Sequence, residues 1–146
     1  MAHPDPNRYS ENLGAQIREQ LAAIERAGTT EGATAIGRPI IVLSVLGARS
    51  GTWRKVPLMR VEHEGAYAAI ASKGGDPAHP QWYYSITANP DVKVQDGDTA
   101  HPYQARQVTG SEREAWWERA TQAFPPYVEY QARTPRQIPV FVLEPR

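Results

Sequence analysis

The chain has no cysteine, which excludes disulfides, thiolate metal sites and a cysteine nucleophile and makes an intracellular, cytoplasmic address the default reading. Nor has it an excess of charge: sixteen basic and sixteen acidic residues leave a formal net charge of zero. That balance argues against a general nucleic-acid binder, which needs a positive stripe over a whole face. No apolar run approaches the roughly 18 residues of a membrane span. The start, Met1-Ala2-His3-Pro4-Asp5-Pro6, is polar and proline-rich rather than signal-like. The four histidines, His3, His63, His79 and His101, show no metal-ligand spacing, so no metal is expected. Serine-hydrolase elbow, dinucleotide fingerprint and P-loop are all missing. The acids fall in helices, turns and tails, where solvation is the ordinary reading, so paired-carboxylate chemistry has no support.

What the chain does have is positive charge in one place. Between Ala33 and Val61 there are five basic residues, Arg38, Arg49, Arg54, Lys55 and Arg60, and no acidic one. Four of the five lie in or just after a glycine-flanked turn, Gly47-Ala48-Arg49-Ser50-Gly51-Thr52, where N–H groups and guanidinium forks converge on an anion. A second small-residue loop, Ser72-Lys73-Gly74-Gly75, adds a cation beside glycines that let backbone approach a ligand. Together they read as a cradle for a phosphate- or carboxylate-bearing small molecule; the plainer alternative is a solvated basic face with ordinary hairpin turns.

A chain of 146 residues is of single-core size. Residues 1–9 read as a loosely attached arm. Leu13, Ile17, Leu21 and Ile24 form one stripe of a helix from Ser10 to about Ala27, which packs on the body in preference to a partner or a membrane surface. Residues 28–38 form a linker. Strands are expected at Ile40–Leu46, Trp53–Val61, Ala66–Ala71, Val92–Gln95, Thr99–Val108 and Ile138–Leu143. Pro57 cannot donate to a ladder and places the second of these at an edge or a bulge. A short helix follows Pro80, and Ser111 with Glu114 forms a capping box for a helix to about Phe124, its inner face Trp116, Ala120 and Phe124. Tyr127 and Tyr130 fall in an irregular segment after Pro125-Pro126. Six short strands with interrupting helices predict a small antiparallel barrel, since closure removes exposed edges. Trp53, Trp82, Tyr83, Tyr84, Tyr127 and Tyr130 are rings that can flank a planar ligand or pack in a core, with a ligand favoured for Tyr127 and Tyr130 and the core for Trp116. Cations plus aromatics point to a redox protein whose chemistry belongs to a bound organic cofactor.

Several segments in order, Leu46-Gly47-Ala48-Arg49-Ser50-Gly51, Arg54-Lys55-Val56-Pro57-Leu58, Ala71-Ser72-Lys73-Gly74-Gly75, His79-Pro80-Gln81-Trp82-Tyr83, Ala88-Asn89-Pro90, Tyr127-Val128-Glu129-Tyr130 and Ile138-Pro139-Val140, resemble the deazaflavin-dependent nitroreductase family. The resemblance covers about residues 39 to 145. It implies a mainly β fold with helices (α+β), a split β-barrel of the type that binds flavin mononucleotide or deazaflavin, with residues 39–146 as the cofactor-binding domain and residues 1–38 as arm, helix and linker. The implied cofactor is coenzyme F420, an 8-hydroxy-5-deazaflavin bearing a phosphate and an oligoglutamate tail, with flavin mononucleotide the weaker candidate. By position the family pattern sets Ala48, Arg49, Ser50, Arg54, Lys55, Val56, Pro57, Leu58 and Met59 along the cofactor. Ile70, Ala71, Ser72 and Lys73 complete the site with Gln81, Trp82, Tyr83, Tyr84 and Ser85. Tyr127 matches the tyrosine near ring and substrate, with Tyr130 its neighbour. Ala48, Val56, Met59 and Ser85 depart from residues common in the family.

The resemblance therefore implies an oxidoreductase that passes hydride from reduced deazaflavin to a quinone or nitroaromatic acceptor. Tyr127, Tyr130 and Ser72 are its candidate catalytic residues. An ordinary tyrosine, with a pKa of about 10, is a poor unassisted acid, so positioning is the expected role of Tyr127. The alternative is a non-catalytic deazaflavin or flavin carrier. No nucleic-acid partner and no membrane span are expected; peripheral contact with the inner face of the plasma membrane and a homodimer both remain open.

Overall fold

The computed structural model describes residues 6–35 and 37–146, with side chains from Ala15 onward. Its centre is β2 (Arg38–Leu46), a run of β-branched and aliphatic residues buried on both faces. Ile41, Leu43 and Val45 point into one apolar cluster, whereas Ile40 and Val42 meet Ile24 of α1 (Pro6–Ala27) on the other side. Such two-sided burial suits a near-continuous hydrophobic strand. The long helix thus starts at Pro6, earlier than the sequence reading placed it. A proline is tolerated in the first turn because its missing N–H is unpaired there anyway. Ile24 and Leu21 of the expected stripe do pack on the body, while Leu13 and residues 1–5 lie outside the described side chains. The expected linker contains a two-residue strand, β1 (Thr34–Ala35), paired with Arg38 and Pro39.

The other strands are β3 (Trp53–Met59), β4 (Glu62–His63), β5 (Ala66–Ile70), β6 (Asp91–Gln95), β7 (Ala100–Val108) and β8 (Val140–Pro145), and every pairing is antiparallel. They run in the order β1-β2-β6-β7-β8-β5-β4, with β3 on β2. The sheet curls until its two ends meet through the chain itself. Arg60 N still bonds to Pro39 O beside β2, at 3.0 Å, and Val61 O already accepts from Ala68 N of β5, at 2.9 Å. The strand read as Trp53–Val61 therefore divides at this change of partner. Pro57 pairs in continuous register with Val42, so β3 is an edge strand without a bulge there. This is the α+β split barrel that the sequence implied.

Alternation separates two cores. Tyr67, Ala69, Ala71, Val92, Val94, Ala105, Phe141 and Leu143 fill the interior with the inward residues of β2; Trp82 and Ile86 of α2 (Gln81–Ala88) join them. Ala68, Ile70, Val108, Val140 and Val142 point outward, beneath α3 (Gly110–Ala123) and α4 (Tyr127–Ala132). Trp116, Ala120 and Phe124 form the inner face of α3 as expected. The Ser111–Glu114 capping box does not form: Thr109 occupies the N-cap, and Glu114 pairs with Arg113 at 3.1 Å. Tyr127 and Tyr130, read as irregular, lie on α4. Pro125-Pro126 both ends one helix and begins the next, Tyr130 N bonding to Pro126 O at 3.1 Å. At the first interior residue of β5, Tyr67 donates to Asp96 at 2.5 Å, and Arg60 Nε donates to the same oxygen at 2.8 Å. Burial, then the Asp96 carboxylate, pushes the Tyr67 phenol well above its ordinary 10.0.

Candidate functional site

The Gly47–Thr52 turn closes on itself. Gly47 N bonds to Thr52 O at 2.8 Å, Gly51 N to Gly47 O at 3.1 Å, and Thr52 N to the Ser50 hydroxyl at 3.2 Å. A Cβ on Gly47 would lie 2.5 Å from that hydroxyl. Ala48, Arg49 and Ser50 are left exposed at the tip.

Beyond the turn, β3 sorts its residues by face. Leu43 faces Val56 and Val45 faces Arg54, so Arg54, Val56 and Leu58 take the side of the interior core, whose margin Val56 and Leu58 join. Lys55, Pro57 and Met59 take the other face, Met59 packing on the outer clusters. Ser44 stands between Lys55 of β3 and Lys93 of β6 on that outer face, and the Lys93 ammonium lies 4.8 Å from the exposed Trp53 ring. The sequence grouped Arg54 with Lys55 in one cradle; the pleat sends adjacent residues to opposite faces.

The second loop is built differently. Lys73, Gly74 and Gly75 all have positive φ, 46°, 64° and 83°, in a tight turn closed by Gly75 N to Ser72 O at 2.9 Å and Asp76 N to Lys73 O at 3.1 Å. Positive φ is uncommon for a side chain such as lysine and marks a conformation held by its surroundings. Arg136, from the α4–β8 connection, supplies much of that hold. Its guanidinium donates to Ala71 O at 3.2 Å, Ser72 O at 2.9 Å and Asp76 O at 2.9 Å, and its Nη1 lies 3.2 Å from His79 Nδ1. On the other flank, a Cβ on Gly75 would sit 2.6 Å from Tyr130 O of α4. Ile70 and Ala71 lead into the loop fully buried, one on the outer core and one in the interior. Ser72 is 8% exposed, and its hydroxyl makes no hydrogen bond among the described residues.

Of the α2 candidates, Trp82 is core, edge-on to Phe141 at 6.0 Å, and Ser85 is buried. Tyr83 stacks on His79 at 3.9 Å and touches Phe141 edge-on, while Gln81 and Tyr84 are exposed. Tyr127 is 5% exposed, packed edge-on against Phe124 at 5.0 Å and near Trp117 at 6.2 Å. Burial holds its phenol well above the ordinary 10.0, so it stays protonated at neutral pH. Tyr130 is half-buried beside it, with the Arg133 guanidinium 5.4 Å from its ring.

Not every other arginine is paired: among the described residues Arg119 lies over the Trp116 ring and Arg136 donates to carbonyls, neither to a carboxylate. Arg60, Arg106, Arg113, Arg133 and Arg146 each pair with a carboxylate, and Arg38 donates to Ala123 O at the end of α3. Among the described residues, Arg49, Arg54, Lys55 and Lys73 have no acidic partner. Sequence reasoning missed Arg136, His79 and Lys93. The only signal for Arg136 was a loop between Pro135 and Pro139, which says nothing of its partners. Among the described residues, no group of acids and histidines is arranged to hold a metal ion, and no helix is long and apolar enough to cross a membrane.

The sequence matches the profile of the F420H(2)-dependent quinone reductase family over residues 16–145. An F420H(2)-dependent quinone reductase of Mycobacterium tuberculosis (strain H37Rv) is 35% identical over 111 residues, 74% of this chain and 74% of its own. Among solved structures, an F420-H2 dependent reductase, FDR-A, is 55% identical, covering 77% of this chain and 100% of that one with a TM-score of 0.70. A domain-swapped dimer is 50% identical, covering 96% and 100% with a TM-score of 0.73. The haem storage protein HutZ of Vibrio cholerae, 16% identical over 75% of this chain and 83% of its own, shares only the fold, with a TM-score of 0.52. A match that spans both glycine loops, the edge strand and α4 leaves no part of the barrel outside it: the chain belongs to the F420H(2)-dependent quinone reductase family.

Proposed function

We propose that Arg49, Arg54 and Lys73 hold the anionic groups of coenzyme F420, with Ser72, Tyr127 and Tyr130 beside the ring and its acceptor. The family makes this an oxidoreductase that uses F420 as its cofactor and reduces a quinone. The residues fit that cofactor on one observation above all: Arg49, Arg54 and Lys73 stand at the two loops and on β3 with no carboxylate partner among the described residues. Unpaired cations beside exposed backbone favour a phosphate- and carboxylate-bearing ligand through charge-assisted hydrogen bonds.

When bound, the deazaflavin supplies the hydride. The protein's own part is grip, orientation and control of the proton that a quinone needs, besides hydride, to become a quinol. Arg49 reaches from the hairpin tip, Arg54 from the interior-side face of β3, and Lys73 from the left-handed turn. The Ser72 hydroxyl is free to donate to the ring or to an acceptor oxygen. Tyr127, held protonated by burial, acts as a positioning hydrogen-bond donor rather than as a base, and the proton comes from solvent. The more open Tyr130 borders the acceptor. Nitroaromatics are a second acceptor class with the same need for hydride and proton. Residues 39–146 act as the cofactor-binding domain, and the domain-swapped relative supports a homodimer.

The test is equilibrium titration with F420 and with flavin mononucleotide, then oxidation of F420H2 by menadione. F420 binds more tightly and is turned over. Tighter binding of flavin mononucleotide, or F420 binding without turnover of any quinone, overturns this reading.

A further inference from the structure

We propose that Arg136 is a positioning residue for the F420 site: it sets the Ser72–Gly75 turn in the conformation that presents Ser72 and Lys73. The inference rests on the site reading above. All three nitrogens of its guanidinium are engaged, and every partner lies between Ala71 and His79. Nε donates to Asp76 O at 2.9 Å, Nη2 to Ser72 O at 2.9 Å, and Nη1 to Ala71 O at 3.2 Å. The two ends of the turn, Ser72 and Asp76, are thereby fixed to one rigid plane, and the residue between them that carries a side chain through positive φ is Lys73, at 46°. Fixing the Ser72 carbonyl fixes the peptide that follows it, so the Lys73 backbone is held from outside the turn.

The same guanidinium selects the state of His79. It can only donate, so Nδ1 at 3.2 Å accepts, the ring is neutral and its proton sits on Nε2. That ring stacks on Tyr83 at 3.9 Å, with 17° between planes. Arg136 therefore ties the turn to the face of α2 that carries Tyr83. No carboxylate pairs with it among the described residues, so its charge is spread over three carbonyls and an imidazole. A planar fork serves this set of directions; a lysine ammonium, a point donor, cannot span it.

The experiment compares wild type, R136Q, R136K and a control, R106Q, which removes the Glu112–Arg106–Glu144 bridge far from the turn. Melting temperature, F420 affinity and menadione turnover at saturating F420H2 are read on each. R136Q weakens F420 binding at least tenfold and R136K by an intermediate factor, whereas R106Q lowers the melting temperature with affinity intact. If R136Q does not fold, R136K decides alone. Wild-type affinity in whichever Arg136 variant folds, or an equal loss of affinity in R106Q, overturns the inference. Wild-type binding and turnover report separately on the proposed function, which stands whatever the Arg136 variants do.

Discussion

The two glycine loops look alike in sequence and are held together by opposite means. Gly47–Thr52 is closed by its own atoms, each bond spanning a few residues. Ser72–Gly75 is closed locally only in part; its remaining support arrives from Arg136, Arg133 and Tyr130, some sixty residues later. The bonds that close the first do not reach beyond Gly47 and Thr52. The second sets a candidate cofactor contact, Lys73, against the aromatic helix α4.

Gly75 tests that contrast most severely. At φ 83° any side chain is strained, and here its Cβ also meets Tyr130 O at 2.6 Å and Tyr130 Cα at 3.0 Å, backbone that cannot swing aside. Gly74 has nearly the same backbone problem, φ 64°, with nothing within 4 Å of the added carbon. Gly75→Ala should cost roughly 2–4 kcal/mol in urea unfolding and Gly74→Ala about 1. Equal costs would mean that the loop is limited by its own dihedrals, like any local turn, and the comparison would fail.

The next effect concerns ligand affinity on the hairpin side. Arg54 shares the interior-side face with Val45 and Val56; Lys55 shares the opposite face with Ser44 and Lys93. If the cofactor is gripped from one face, Arg54→Ala should weaken F420 binding by about 1.5–3 kcal/mol, the scale of a charged hydrogen bond. Lys55→Ala should change it by less than about 0.5 kcal/mol, since an exposed charge off the binding face is screened. Equal losses would restore the single cradle read from the sequence.

That placement of Arg54 and Lys55 on opposite faces shows what was legible and what was not. Residue types and local spacing carry strands, glycine turns and the helix after Pro80, because each depends on neighbours a few positions away. They also carried the basic locus and the edge position of Pro57. They did not carry α4, whose helix begins where two prolines promised only an end. Nor did they carry the change of partner between Arg60 and Val61, which depends on Pro39 and Ala68 lying on either side. Arg136 was the least visible: its partners are carbonyl oxygens, which every residue has, so no side-chain pattern in the sequence announces them.

Gly47 gives a smaller effect. The atom in the way of its Cβ is the Ser50 hydroxyl, at 2.5 Å, with Thr52 O at 3.3 Å. That hydroxyl can rotate, at the loss of its bond from Thr52 N. Gly47→Ala should then cost about 1 kcal/mol, and most of this should vanish in an S50A background. A double-mutant cycle with no coupling between the two positions would show that the turn does not close through its own side chain.

The smallest effect is a dependence on pH at His79, and its sign follows from the distant support. Burial first, then the Arg136 charge, holds the folded imidazole below its ordinary 6.5. The facing groups are Arg136, which repels a second cation, and the rings of Tyr83 and Tyr84. Between the depressed folded value and 6.5 the unfolded chain binds the extra proton and the folded chain resists it. The stabilising contribution is therefore complete above about pH 6.5 and declines as pH falls toward the folded value. In His79→Gln the amide oxygen can still accept from Arg136 but does not titrate. Melting curves at pH 7.5 and 5.5 should show a larger drop for wild type than for His79→Gln. Parallel drops would remove His79 from the support of the second loop and leave Arg136 holding it through the three carbonyls alone.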